Sequence, residues 1–151
     1  MFRISQLLKT LHDDMADFKP VKASRKMPGP VVIWNLIRRC NLRCKHCYAT
    51  SLDIDFKDEL STEQVKATID DLKVAHVPVL ILSGGEPLLR PDIYEITAYA
   101  KEKGFYVALS TNGTLIDESN IAQIKAAEYQ YVGISIDGLE EFHDEFRRQK
   151  G

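Results

Sequence analysis

Apolar residues along this chain follow two alternating periods. Val31 to Ile37 is a mostly apolar run with β-branched residues and a Trp, the pattern of a strand covered on both faces. Val77 to Leu82, Phe105 to Ser110 and Tyr131 to Ile136 repeat it. Between these runs the spacing turns helical. Val65, Ile69 and Leu72 mark one helix, and Ile93, Ile96, Tyr99 and Ala100 a second. A third spans about Asp117 to Ala127, and a fourth starts in the acidic segment from Glu140 to Arg148. Ser61 and Gln64 have capping-box spacing, Pro91 and Asp92 open the second helix, and Gly104 is placed to end it.

Alternation of strand and helix predicts an α/β fold with parallel strands and right-handed crossovers. Ahead of it, Ile4, Leu7, Leu8 and Leu11 fall at helical spacing before a Lys-Pro pair, a basic patch and Pro28-Gly29-Pro30 break the pattern. This divides the chain into an arm and linker, 1–29, and a core domain, 30–151. A loosely packed terminus is the other reading of the arm.

Composition narrows the setting. Twenty Lys plus Arg against 22 Asp plus Glu leave a net charge of -2, which argues against a general nucleic-acid binder. The longest apolar run, Val77 to Leu82, is far too short to span a bilayer, so no membrane partner is expected. Three cysteines crowded into one loop suit a reducing compartment, and a cytoplasmic protein is expected.

That loop carries the chemistry. Cys40, Cys44 and Cys47 leave three residues and then two between them, so three thiolates can close around one cubane cluster. A 4Fe-4S cube that only carries electrons normally takes four cysteines, and three leave one iron open. A zinc loop and three structural thiols are the alternatives. Structural zinc is usually closed by four ligands, no second ligand pair exists here, and His46 beside Cys47 is poorly placed to be the fourth.

Parallel strands send their C-terminal ends to one edge, where such folds place their sites. Strand one exits into the cysteines, strand two into Gly84-Gly85-Glu86-Pro87, and strand three into Ser110-Thr111-Asn112-Gly113. Strand four carries Ser135 and Asp137 at its end. Glycines let backbone approach a ligand closely, and Glu86 could accept a hydrogen bond from an ammonium; a plain tight turn is the other reading. Arg38, Arg39, Arg43 and Lys45 surround the thiols. They are an ordinary exposed basic loop, or cations that stabilise a reduced cluster or pair with substrate carboxylates.

The Cys-x-x-x-Cys-x-x-Cys loop resembles the signature of the radical S-adenosylmethionine (SAM) enzymes. The resemblance implies a parallel-stranded partial (β/α) barrel, of which about four of six βα units are present here. It implies a 4Fe-4S cluster on Cys40, Cys44 and Cys47, whose open iron chelates the amino nitrogen and carboxylate of SAM. Reductive cleavage of SAM then gives methionine and a 5'-deoxyadenosyl radical, with a flavodoxin or ferredoxin as electron donor. The family motif matching Gly84, Gly85 and Glu86 recognises the SAM amino group. His46 lies where the family places a ring near the adenine. Ser110, Asn112, Ser135 and Asp137 match strand-end positions that hold the ribose and methionine parts, although each could be a turn-capping residue.

Longer runs sharpen the resemblance. Pro28 to Ser51, Ile81 to Arg90 and Gly104 to Leu115 are similar to the radical SAM family of haem d1 biosynthesis, which implies a tetrapyrrole substrate, didecarboxysirohaem, losing two propionate side chains. Haem-pathway decarboxylases and peptide maturases belong to the same larger group. A non-catalytic metal-binding module is the reading from another class. The family's barrel is followed by an extension with further cysteines, so this chain is expected to correspond to the N-terminal portion of such an enzyme.

Overall fold

The structure is a computed structural model that describes residues 29–49 and 51–151. The arm expected over residues 1–29 lies outside the described residues except for Gly29. Four strands, β1 (Val31–Ile37), β2 (Val79–Gly84), β3 (Tyr106–Thr111) and β4 (Tyr131–Ile134), form one parallel sheet in the order β1-β2-β3-β4. The helices between and after them are α1 (Thr62–Val74), α2 (Ile93–Glu102), α3 (Ile121–Ala127) and α4 (Glu140–Arg147). The α/β expectation with parallel strands holds.

Period-two alternation decides where the core sits. Val32, Leu80 and Val107 stand in register across three strands, as do Trp34, Leu82 and Leu109. On these rows rest Val65 and Ile69 of α1 and Ile93, Ile96 and Ala100 of α2, all buried. The opposite face is open at β1 among the described residues and closes toward Ala108, which is buried. Val31 is 50% and Ile33 65% exposed, so β1 is not covered on both faces as its composition suggested. An apolar run signals a strand, but it does not say that both faces have partners.

Local chemistry sets the ends of the elements. Ser61 accepts from the Gln64 amide at 3.3 Å and donates its own backbone N–H to the Gln64 side chain at 2.9 Å, the reciprocal cap that α1 was expected to have. After α2, Gly104 takes a φ of +78°, and the Phe105 N–H returns to Ala100 O at 3.1 Å. The third helix starts at Ile121 rather than Asp117. Asp117 accepts from the Ser119 N–H at 2.8 Å and Asn120 accepts from the Asp117 N–H at 3.1 Å, side-chain bonds that hold a separate turn ahead of the helix, and Ile121 N donates back to Asp117 O at 3.0 Å. Strand β4 ends at Ile134, short of Ile136, although Ser135 N still donates to Thr111 O at 3.1 Å. Strands β2 and β3 each run further toward their C-terminal ends than the apolar pattern suggested, because Ser83, Gly84 and Thr111 keep ladder pairing despite their polarity or small size.

Arg90, only 6% exposed, ties this end of the sheet together. Its guanidinium donates to Leu36 O at 3.3 Å, Leu60 O at 2.8 Å and both oxygens of Asp92. Asp92 opens α2 as its N-cap residue, as expected, while its carboxylate accepts from Arg90 and from the Thr62 hydroxyl at 2.6 Å.

A one-sided core has a measurable signature. Leu82→Ala should lower the unfolding free energy by about 2–5 kcal/mol, whereas Ile33→Ala should change it by less than about 0.5 kcal/mol in urea titrations followed by circular dichroism.

Candidate metal centre and cofactor cavity

The chain leaves β1 through Arg38 and Arg39 and enters a loop that closes on itself, with Cys40 N donating to Leu52 O at 3.1 Å. Within it Cys47 N reaches Cys44 O at 3.3 Å. The three thiols are free and graded in exposure: Cys40 is buried, Cys44 half-buried and Cys47 exposed. All three line one cavity of about 230 Å³ together with Ser83, Gly84, Gly85, Ser110, Asn112 and Ser135. Four separate strand ends therefore meet where the sheet polarity predicted. His46 lines the same cavity, while Glu86 and Asp137 stand behind its wall.

The two glycines answer first to their own chain. A Cβ on Gly84 would lie 2.3 Å from Ile37 O, and one on Gly85 2.2 Å from Arg39 O. Gly84 also has a φ of +135°, a backbone conformation that side chains disfavour. With no Cβ in the way, Gly85 N donates to Ile37 O at 2.7 Å and Glu86 N to Arg39 O at 2.9 Å. The exit of β2 is thus laid directly on the backbone that leads into the cysteines. A bulge between Asn35 and Ile37 turns β1 to receive it.

Glu86 is fully buried. Its carboxylate accepts from the Thr111 hydroxyl at 2.7 Å, the Asn112 N–H at 2.8 Å and the Leu88 N–H at 3.1 Å. Burial pushes its pKa up, and the three donors pull against that shift. The side chain brackets the exit of β2 to the exit of β3, a role that spacing alone did not suggest. Asn112, held by this bracket, turns its amide to Asn41 Oδ1 at 2.9 Å and Cys40 Sγ at 3.9 Å.

Donors also reach the sulfurs from elsewhere. Leu42 N–H points at Cys40 Sγ at 3.4 Å and the Arg147 guanidinium at Cys44 Sγ at 3.7 Å. Burial raises the Cys40 thiol above its ordinary pKa, and hydrogen bonds from Leu42 and Asn112 oppose it. The expected cations are mostly occupied. Arg39 pairs with Asp53 at 2.8 Å and Asp55 at 2.9 Å, Lys45 with Glu145, and Arg38 lies 4.2 Å over the Phe56 ring. Arg147 and Thr111 were not singled out from the sequence. Both act through partners distant along the chain, Cys44 and Glu86, and no local pattern marks them.

His46 faces α4 rather than open solvent alone. Its ring centroid is 5.6 Å from that of Phe146, and Nε2 is 3.7 Å from Asp137 Oδ1. Asp137 is held in turn by Arg147 Nε at 2.6 Å.

Residues 34–151 match the family model described as the radical SAM superfamily. The chain belongs to the radical SAM superfamily. Pre-heme d1 synthase of Dinoroseobacter shibae is 47% identical over 147 residues, 97% of this chain and 35% of the relative. Fe-coproporphyrin III synthase of Methanosarcina barkeri is 54% identical over 122 residues, 81% of this chain and 31% of the relative. The chain thus spans about a third of the length of these relatives. Among solved structures, Streptococcus suis SuiB bound to S-adenosylmethionine superposes with a TM-score of 0.66 at 20% identity, over 82% of this chain and 29% of that one. The structure titled native anSMEcpe with bound AdoMet gives 0.58 at 29% identity, over 76% of this chain and 34% of that one. A wall of a radical SAM barrel is therefore the fold.

The donor set fits a radical SAM cluster. A cube takes each thiolate on a different iron, so its ligands line a cavity rather than converge on one point. Hydrogen bonds already aimed at Cys40 and Cys44 suit sulfurs that become thiolates. No helix among the described residues is long and apolar enough to cross a membrane.

Gly85→Ala should separate β2 from the cysteine loop and lower stability by about 1–3 kcal/mol, as overpacking does, in chemical denaturation. Glu86→Gln leaves one of the three donors facing an amide and should lower stability by about 1–3 kcal/mol at neutral pH. Because the folded state raises this carboxyl's pKa, its contribution is fullest below the ordinary carboxylate range and fades as pH rises through the raised value. Wild type should hence gain on Glu86→Gln as pH falls toward 4, measured in paired urea titrations.

Proposed function

We propose that this chain carries the SAM-cleaving part of a radical enzyme that modifies tetrapyrrole side chains. One observation supports the reading above all. Three free cysteines and four strand ends share one cavity, with the cysteine and Gly-Gly backbones interlocked. Cys40, Cys44 and Cys47 would hold the 4Fe-4S cluster. When bound and reduced, that cluster would supply the electron that splits SAM into methionine and a 5'-deoxyadenosyl radical.

The remaining chemistry belongs to the chain's own groups. Backbone at Gly84 and Gly85 flanks the cavity and can receive the methionine part of SAM. Ser110, Asn112 and Ser135 offer hydroxyl and amide partners from two further strands, and His46 offers a ring for the adenine. Glu86 and Asp137 act from behind: one fixes the Asn112 turn, the other fixes Arg147. Exposed Cys47 brings the centre near the surface, where a flavodoxin or ferredoxin could deliver electrons. Three free thiols fit a cytoplasmic, reducing setting.

For the substrate, the reading is didecarboxysirohaem losing two propionate side chains on the way to haem d1. Similarity to pre-heme d1 synthase supports it, since that alignment takes in 97% of the chain. The second reading is the reaction of Fe-coproporphyrin III synthase, favoured by the higher identity of 54% over a shorter span.

Anaerobic reconstitution should load about four irons per chain, and dithionite with SAM should then release 5'-deoxyadenosine. Cys47→Ala should abolish both. Zinc alone, with no 5'-deoxyadenosine under strong reductant, would leave only a non-catalytic metal module. Mass spectrometry of the product from didecarboxysirohaem separates loss of two propionates from formation of Fe-coproporphyrin III.

A further inference from the structure

Helix α4 is an unusual neighbour for the cysteine loop. It buries none of its residues, and Phe142 remains 52% exposed, so apolar packing does not explain its position. What fixes it is contact with the cysteine loop. Lys45 N donates to Phe146 O at 2.8 Å, Lys45 pairs with Glu145, and His46 rests against Phe146. The helix therefore meets the loop with its C-terminal end, where free carbonyls carry partial negative charge. Such an end would disfavour any further negative charge placed beside it.

Arg147 reverses that sign. It is the last residue of α4, its side chain is 11% exposed, and its fork divides between two acceptors. Nε binds Asp137 Oδ2 at 2.6 Å, which fixes the guanidinium plane, and NH1 reaches Cys44 Sγ at 3.7 Å. Asp137 neutralises the guanidinium in sum, yet the positive group is the one that touches sulfur. The four cations beside the cysteines in sequence leave this position to it: among the described residues, Arg147 is the charged side chain that donates to a cysteine sulfur.

We propose that Arg147 is a positioning residue that sets the reduction potential of the centre, donating a charge-assisted hydrogen bond to Cys44 and favouring the one-electron-reduced form. This rests on the cluster reading above. The step is simple: one electron from an external reductant such as dithionite enters, the centre becomes more negative by one charge, and no bond forms or breaks. A cation bonded to a ligand sulfur stabilises the more negative state more strongly.

The test is potentiometry of the anaerobically reconstituted protein, followed by electron paramagnetic resonance, with Arg147→Gln and Arg147→Lys beside wild type. Iron content is measured on each. Arg147→Gln should keep its iron, and its ratio of reduced to oxidised centre at fixed potential should fall about tenfold, a downward shift of about 59 mV for one electron. Arg147→Lys should recover most of the shift. Iron lost from the Gln variant but kept by the Lys variant would overturn the proposal, because the charge would then serve to retain the cluster rather than to set its potential. An unchanged potential in Arg147→Gln would overturn the proposal, and so would iron loss in both variants, which would make Arg147 a bracket for α4 only. Failure of wild type to build any cluster would sink the cluster reading itself and is seen before any variant is compared.

Discussion

The site depends on one close approach of backbone to backbone. Gly85 and Glu86 donate their N–H groups to Ile37 and Arg39, and neither Gly84 nor Gly85 could carry a side chain at that distance. The geometry is set before any cofactor is considered. Two adjacent parallel strands are locked at their C-terminal ends, so the cysteine loop starts from a fixed point. Buried Glu86 then extends the lock to the third strand through Thr111 and Asn112. No buried side-chain donor or acceptor among the described residues is left without a partner. A fully satisfied polar network of this kind rigidifies its surroundings, whereas a half-satisfied one would loosen them.

Electrostatics around the loop follow from the same economy. Arg39 and Lys45 are matched by acids from the 53–55 stretch and from α4. Exposed pairs of this kind contribute little to stability, but they remove free charge from the rim. Arg147 differs in being mostly buried and in touching sulfur. A half-exposed cation would be screened by water, while one enclosed beside Cys44 acts through a lower dielectric. The field at the cavity is thus set by few groups, each held by a named partner.

Much of the fold was legible in the sequence because two periods of apolar residues separate strands from helices, and the caps at Ser61 and Gly104 use local chemistry. Strand ends proved harder. Ser83, Gly84 and Thr111 stay in the sheet because neighbours supply ladder bonds, which no hydropathy pattern records. The open face of β1 was misjudged for the same reason: burial depends on what lies across from a strand, not on its own composition. Within the site, the cysteines and strand-end turns could be placed by polarity of the sheet alone. The carboxylate of Glu86 could not, since its three donors come from two turns, one of them more than twenty residues away. Arg147 lies further still, 103 positions from Cys44.

Two sets of positions are separable in this chain. Every candidate cofactor residue sits on a strand end or on the loop after β1, and those positions are fixed by the backbone lock and the Glu86 bracket. The open face of the sheet carries a different set. Ile33, Ile81 and Ala108 stand in one row on it, exposed at Ile33 and buried at Ala108, and Asn35 accepts from the Tyr48 hydroxyl at 3.0 Å. None of Ile33, Ile81 and Ala108 lines the cavity that holds the thiols and glycines. The lock therefore constrains Gly84 and Gly85 through backbone contact alone, whereas Ile33, 65% exposed, faces no such constraint.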